Sequence, residues 1–153
     1  MNNPKGYYFG TEYTNEQIND ALKSENPLGV VNHEDTVGHG TFLASTVASR
    51  LSGEYIGAAP DSEIIAVKLR RAKTYHDEMY PIPEDVENAY EVTDIMLGIE
   101  YIIEKARSLD MPVAICIGVG TNQGGHDGFL IVEEYISSVG AIRGVCICAA
   151  ARK

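Results

Sequence analysis

Positive charge is scarce in this sequence: 12 Lys and Arg stand against 22 Asp and Glu, a formal net charge of −10 over 153 residues. Such a surface repels phosphate backbones and anionic lipid headgroups, so neither nucleic acid nor a membrane is an expected partner. Long apolar runs are missing as well. None reaches the ~18 residues that cross a bilayer, and the stretch from Met1 to Tyr8 has no apolar core of a secretory signal. Cysteine is sparse. Cys116, Cys146 and Cys148 each lie inside an apolar, strand-like run, where a thiol serves as a small buried hydrophobe. Their spacing suggests neither a disulfide framework nor a zinc motif.

What remains has the composition of one globular domain, 44% apolar and 22% charged with no linker-like shift along it. Thr14-Asn15-Glu16-Gln17 fits a capping box, and Ile18, Ala21 and Leu22 follow at helical spacing until Asn26-Pro27. The nearly uncharged segment Val37 to Ser49 predicts a buried helix, with Gly40, Ala44 and Ala48 every four residues as a face that another backbone can approach closely. Thr93 is the expected cap of another helix, whose stripe is Ile95, Met96, Ile99, Ile102, Ile103 and Ala106.

Strand signals alternate with these helices. Glu63 to Leu69 is rich in β-favouring residues and is expected to begin the sheet, while residues 70–91 show no period and contain Pro81 and Pro83, which predicts a surface excursion. Val113-Ala114-Ile115-Cys116-Ile117 is continuously apolar, as expected of a strand covered on both faces. A glycine-rich loop over 118–128, a helix over 129–140 and a last strand, Gly144 to Ala150, complete the pattern. The expected fold class is α/β, a three-layer parallel sheet with helices on both faces. Because the chain stops three residues after the last strand, the domain is expected to be incomplete.

His39 falls at the first turn of its predicted helix, against the positive end of the helix dipole, which disfavours protonation and suits a general base. Gly38 and Gly40 flank it and leave room for a substrate backbone. On His-Gly-Thr alone, a capped helix with a tolerated histidine is the better account. The longer string alters that weighing. His39-Gly40-Thr41, the small-residue helix, Ile56-Gly57-Ala58-Ala59-Pro60 and Ile64-Ile65-Ala66-Val67-Lys68 together resemble, in order and spacing, the subtilisin-like serine peptidase family from its catalytic histidine onward. Ile115 to Gly120 is similar to the family's substrate-pairing strand end, and Arg143 to Ala151 to its strand leading into Ala-Ala-Gly-Asn. The loop Gly120 to Gly128, the stretch Tyr80 to Asp85 and the opening Tyr8 to Thr14 look most like the clostridial branch that includes the spore-germination Csp proteases.

The resemblance implies a serine endopeptidase with His39 as its catalytic base and the Gly118-Val119-Gly120 backbone binding an extended protein or peptide substrate. It implies no metal and no cofactor. It also implies that residues 1–153 are a partial domain, lacking the family's aspartate and serine segments and needing the remainder of that domain as a partner. Asp35 is not expected to replace the aspartate, since it precedes His39 by only four residues and reads as a solvated loop acid. No serine lies in a Gly-Thr-Ser or Gly-x-Ser-x-Gly setting, so this chain alone is expected to be inactive. Phe42 and Ser45 depart from the commoner His-Gly-Thr-His-Val-Ala-Gly string, Gly118 replaces a serine, and Arg152 stands where the oxyanion-hole asparagine belongs.

Two rival sites fit less well. Gly118, Gly120 and Gly124 have the wrong spacing for a dinucleotide cradle, and the next strand carries no acid for a ribose. His33, Glu34 and His39 lack a further clustered ligand for a metal. The strongest competitor is a non-catalytic relative, in which the fold serves as a binding or regulatory module.

Overall fold

The computed structural model describes residues 3–50, 53–73, 89–120 and 124–150. Expectations for Tyr80 to Asp85, Thr121 to Gln123 and Arg152 lie outside the described residues. The chain divides into two compact units, Met1–Phe42 and Leu43–Lys153.

In the first unit, α1 (Asn15–Lys23) begins with the expected capping box. The Thr14 amide donates to Gln17 Oε1 at 2.9 Å, and the Gln17 amide donates to Thr14 Oγ1 at 3.3 Å, so two otherwise orphaned donors satisfy each other's residues. Its apolar stripe is only partly covered, because Ala21 is buried while Leu22 is 77% exposed. A short helix, α2 (Pro27–Val30), starts on Pro27, whose fixed φ and missing N–H suit a first helical position.

Helix α3 (His39–Ala48) begins in the first unit and ends in the second. The expectation of a buried helix is corrected: only Ala48 is buried, and Phe42 is 66% exposed. Its close backbone contact is at the C-terminal turn. The amides of Gly57, Ala58 and Ala59 donate to the carbonyls of Ser49, Thr46 and Val47 at 2.9, 3.0 and 2.7 Å, satisfying acceptors that a helix end leaves open. A Cβ on Gly57 would lie 2.6 Å from the Ser49 amide nitrogen and 2.8 Å from that of Ala48. Glycine is therefore required there by space alone.

The second unit contains α4 (Val92–Ser108), β1 (Val113–Ile117), α5 (Ile131–Gly140) and β2 (Val145–Ala149). Glu91, not Thr93, is the N-cap of α4, a shift of the size at which helix ends fray. The stripe behaves as expected, with Ile99, Ile103 and Ala106 buried. The helix closes on Asp110, whose φ is +53°. The Met111 amide donates to the Ala106 carbonyl at 3.0 Å and the Asp110 amide to that of Arg107 at 3.1 Å, the pair of bonds that ends a helix through a left-handed residue.

β1 and β2 are parallel, in the register Val113↔Val145, Ile115↔Ile147 and Cys116↔Cys148. The fold is thus α/β around a parallel strand pair. Because strand side chains alternate between faces, Ile115 and its odd-numbered neighbours meet Ile99 and Ile103 of α4 and Val139 of α5, forming the core cluster. The other face carries Ala114, Cys116, Cys146 and Cys148, all exposed. Among the described residues the helices cover one face, and the expectation of buried thiols is corrected, since the pleat aims all three away from the helices.

Residues 63–70 form no strand, so the sheet does not begin there. They pack by side chains instead: Val67 and Leu69 lie against Gly98 of α4, and Arg70 pairs with Asp94 at 3.3 Å. Strand propensity reflects fit to a pleated surface and needs a hydrogen-bonded neighbour to become a strand.

Truncating Ile115 to Ala removes the centre of the core and is expected to cost about 3 kcal/mol, measured by urea denaturation followed by circular dichroism. Gly57→Ala is expected to cost about 1–3 kcal/mol by forcing two backbones apart, with faster amide exchange at Ala58 and Ala59.

Candidate functional site

The loop leading into α3 is organised by one carboxylate. Asp35 Oδ1 accepts from the Gly38 amide at 2.8 Å and the Val37 amide at 3.2 Å, while Oδ2 accepts from the Thr41 amide at 2.9 Å and the Thr41 hydroxyl at 2.7 Å. These bonds bracket His39 from both sides. They hold the Asp35 carboxyl far below the ordinary aspartate range, the Thr41 amide contributing most and the Thr41 hydroxyl next. Gly38, at φ +82°, makes the turn from this loop into the helix in a region open to glycine. His39 then opens α3 and is exposed to solvent.

Asp35 therefore closes the turn that leads into α3, work that the sequence reading did not assign to it, and none of these bonds goes to the His39 ring. A short-range signal was present: Asp followed three residues later by glycine at the start of a helix fits a side chain that closes a turn onto its own backbone. Its second oxygen then reaches the free amides of the following helix, which attract an anion at this end.

Gly118, Val119 and Gly120 follow the carboxyl end of β1, in the second unit. Ligand sites of parallel α/β sheets lie at this end of the strands. The Ala150 amide donates to the Ile117 carbonyl at 3.1 Å, carrying the ladder one residue beyond β2. Gly118 and Val119 are half-buried, whereas Gly120 is exposed, and a Cβ built on it meets nothing within 4 Å among the described residues.

The far end of this loop is tied down by Glu133 of α5, a residue the sequence reading passed over. Its Oε2 accepts from the Gly128 and Leu130 amides at 2.9 and 3.1 Å, and its Oε1 lies 3.9 Å from His126 Nδ1. Glutamate three residues inside a helix, reaching back to the amide at its start, is the signal that would have found it. A separate depression of about 360 Å³, lined by Arg107, Pro112 and Arg143 among others, lies at the amino ends of the strands, away from the Gly118 loop.

Among the described residues, no group of three or more His, Cys, Asp or Glu is arranged to hold a metal ion, and no helix is long and apolar enough to cross a membrane. His39 belongs to the first unit and Gly118 to Gly120 to the second.

Asp35→Asn keeps the side-chain shape but weakens four charge-assisted bonds, so the Val37, Gly38 and Thr41 amides are expected to exchange several-fold faster with hydrogen–deuterium readout. The sign with pH follows from the lowered carboxyl. Its stabilising contribution is complete above the unfolded aspartate value of ~3.9 and is lost as pH falls below that toward the lower folded value. An NMR titration of the Thr41 amide is expected to show its midpoint below that of a model aspartate.

No protein-family model matches the sequence, and no curated protein matches it. Among solved structures, the CspB protease of Clostridium perfringens is similar to this chain, with a TM-score of 0.79 and 29% sequence identity. The match covers 93% of this chain and 28% of that one, so the chain spans less than a third of the solved protein's length. This likeness of fold and sequence relates the chain to a clostridial protease.

Proposed function

We propose that these residues are the histidine-bearing part of a subtilisin-like serine endopeptidase. The observation that carries this reading is the likeness to the CspB protease over 93% of the chain at 29% identity. Two local features support it: His39 stands at the first turn of α3 beside a fixed loop, and Gly118-Val119-Gly120 follows the carboxyl end of a parallel strand.

In this reading His39 is the general base. It takes the proton from a serine hydroxyl supplied by polypeptide outside these 153 residues, as that oxygen attacks the scissile carbonyl, and later returns a proton to the leaving amine. An aspartate, also supplied from outside, orients the ring. Asp35 does different work, since all four of its bonds go to the turn and to Thr41. The backbone of Gly118, Val119 and Gly120 pairs with an extended protein or peptide substrate as an added strand. The chemistry needs no metal and no cofactor, and the remainder of the domain is the partner that completes it.

The competing reading, a non-catalytic binding or regulatory relative, is favoured by Arg152 in the position of the oxyanion-hole asparagine. Loss of that donor typically slows acyl transfer ~10²–10³-fold.

A fluorophosphonate probe is expected to leave this chain unlabelled, because no serine here has a nucleophile's setting. Labelling of any serine would overturn the assignment of the nucleophile to another segment. Reading the flanking codons separates the two functions: Asp-Thr-Gly upstream and Gly-Thr-Ser downstream support the peptidase, and an open frame lacking the serine motif supports the non-catalytic relative.

A further inference from the structure

Backbone on both sides of His39 is held by a single side chain. Before it, the Gly38 amide donates to Asp35 Oδ1 at 2.8 Å; after it, the Thr41 amide and hydroxyl donate to Oδ2 at 2.9 and 2.7 Å. A Cβ added at Gly40 would lie 3.5 Å from that same Oδ2. The Phe42 amide donates to the Gly38 carbonyl at 2.9 Å, so the restrained glycine also supplies the acceptor for the first turn of α3. All of these residues belong to the first unit.

Because none of the bonds reaches the imidazole, Asp35 acts on it through the backbone. The direction of the His39 Cα–Cβ bond follows from the torsions around it, and those are what the carboxylate restrains. Gly38 is the soft point. At φ +82° it occupies a conformation that glycine enters and leaves freely, so the bond to Asp35, rather than the residue's own sterics, selects it. Charge contributes as well as shape, since both carboxylate oxygens act as acceptors and the Thr41 amide does most to draw the carboxyl well below its ordinary range. An asparagine would offer one acceptor oxygen, and its amide nitrogen would face the Thr41 N–H donor to donor.

We propose that Asp35 is a positioning residue for His39, fixing through Gly38 and Thr41 the direction in which the imidazole leaves the backbone. The proposal rests on the reading of His39 as a general base and adds the means by which that base is aimed. A base has to stand within hydrogen-bond reach of the proton it takes, and a misplacement of ~1 Å costs roughly 100-fold in rate. Asp35 is thereby distinct from the ring-orienting aspartate, which that reading places outside these 153 residues.

The test has two arms, both run well below the melting temperature of each variant. In this 153-residue chain, NMR relaxation reports order parameters for the His39 N–H and Cα–H bonds. They are expected near the ~0.85 of rigid backbone in the unmodified chain and below ~0.6 in Asp35→Ala, with Asp35→Asn between them. Thr41→Val, which removes only the hydroxyl bond, is expected to show the same change at smaller amplitude and serves if Asp35→Ala does not fold. In the intact protein that carries this segment, Asp35→Ala is expected to lower kcat about 100-fold while KM stays within about two-fold. Unchanged order at His39 in the variants would overturn the proposal, as would an unchanged kcat in an active protein or a loss of kcat that disappears on cooling. An intact protein without hydrolytic activity would sink the peptidase reading instead, and the relaxation arm would still decide whether Asp35 aims His39.

Discussion

Burial of Ile115 is the contact on which the ordered part of the second unit depends. A pair of parallel strands does not persist alone in water; it needs helices to take its apolar face out of solvent. Ile99 and Ile103 from α4 and Val139 from α5 meet Ile115 on that face, with Val113, Ile117, Val145 and Ile147 around them. Every feature at the carboxyl end of β1, including the Gly118 loop, is placed by this cluster. Tyr135 of α5 adds a directional link by donating its hydroxyl to the Met96 carbonyl of α4 at 3.3 Å. Desolvation against the two helices pushes that phenol above its ordinary range, with Glu100 nearby adding to the effect.

Much of this was legible in the residues. The α4 stripe, the capping box at Thr14 and the two apolar strand runs were readable because each signal is local and periodic. The misreadings involve partners distant in sequence. Glu63 to Leu69 has the composition of a strand, yet it packs through Val67 and Leu69 on α4 without a ladder. The uncharged run of α3 suggested a buried helix, whereas composition cannot say how many sides of a helix meet a neighbour. An apolar run such as Val113 to Ile117 likewise does not reveal which alternate residues meet the helices. The register supplies that, and it puts the thiols outside.

The proposed site shows the same division. His39 at a helix start and Gly118 to Gly120 after a strand could be placed from sequence, because both positions follow from helix and strand boundaries. The work of Asp35 was missed, although Gly38 three residues on marks a turn, because a carboxylate four residues before a histidine has many uses. Its hydrogen bonds show that it builds the turn on which the imidazole stands. Glu133 holds backbone in a comparable way at the far end of the glycine-rich loop, where it accepts from the Gly128 and Leu130 amides at the start of α5.

The short connection from Ala141 to Gly144 has an evolutionary consequence. The Val113 amide donates to the Gly144 carbonyl at 2.8 Å, which fixes the phase of β2 against β1. Adding or deleting a single residue here would move every β2 side chain to the opposite side, turning Cys146 and Cys148 toward the helices and Ile147 toward water. Lineages of this sequence should therefore tolerate changes of residue in that corner but not changes of its length.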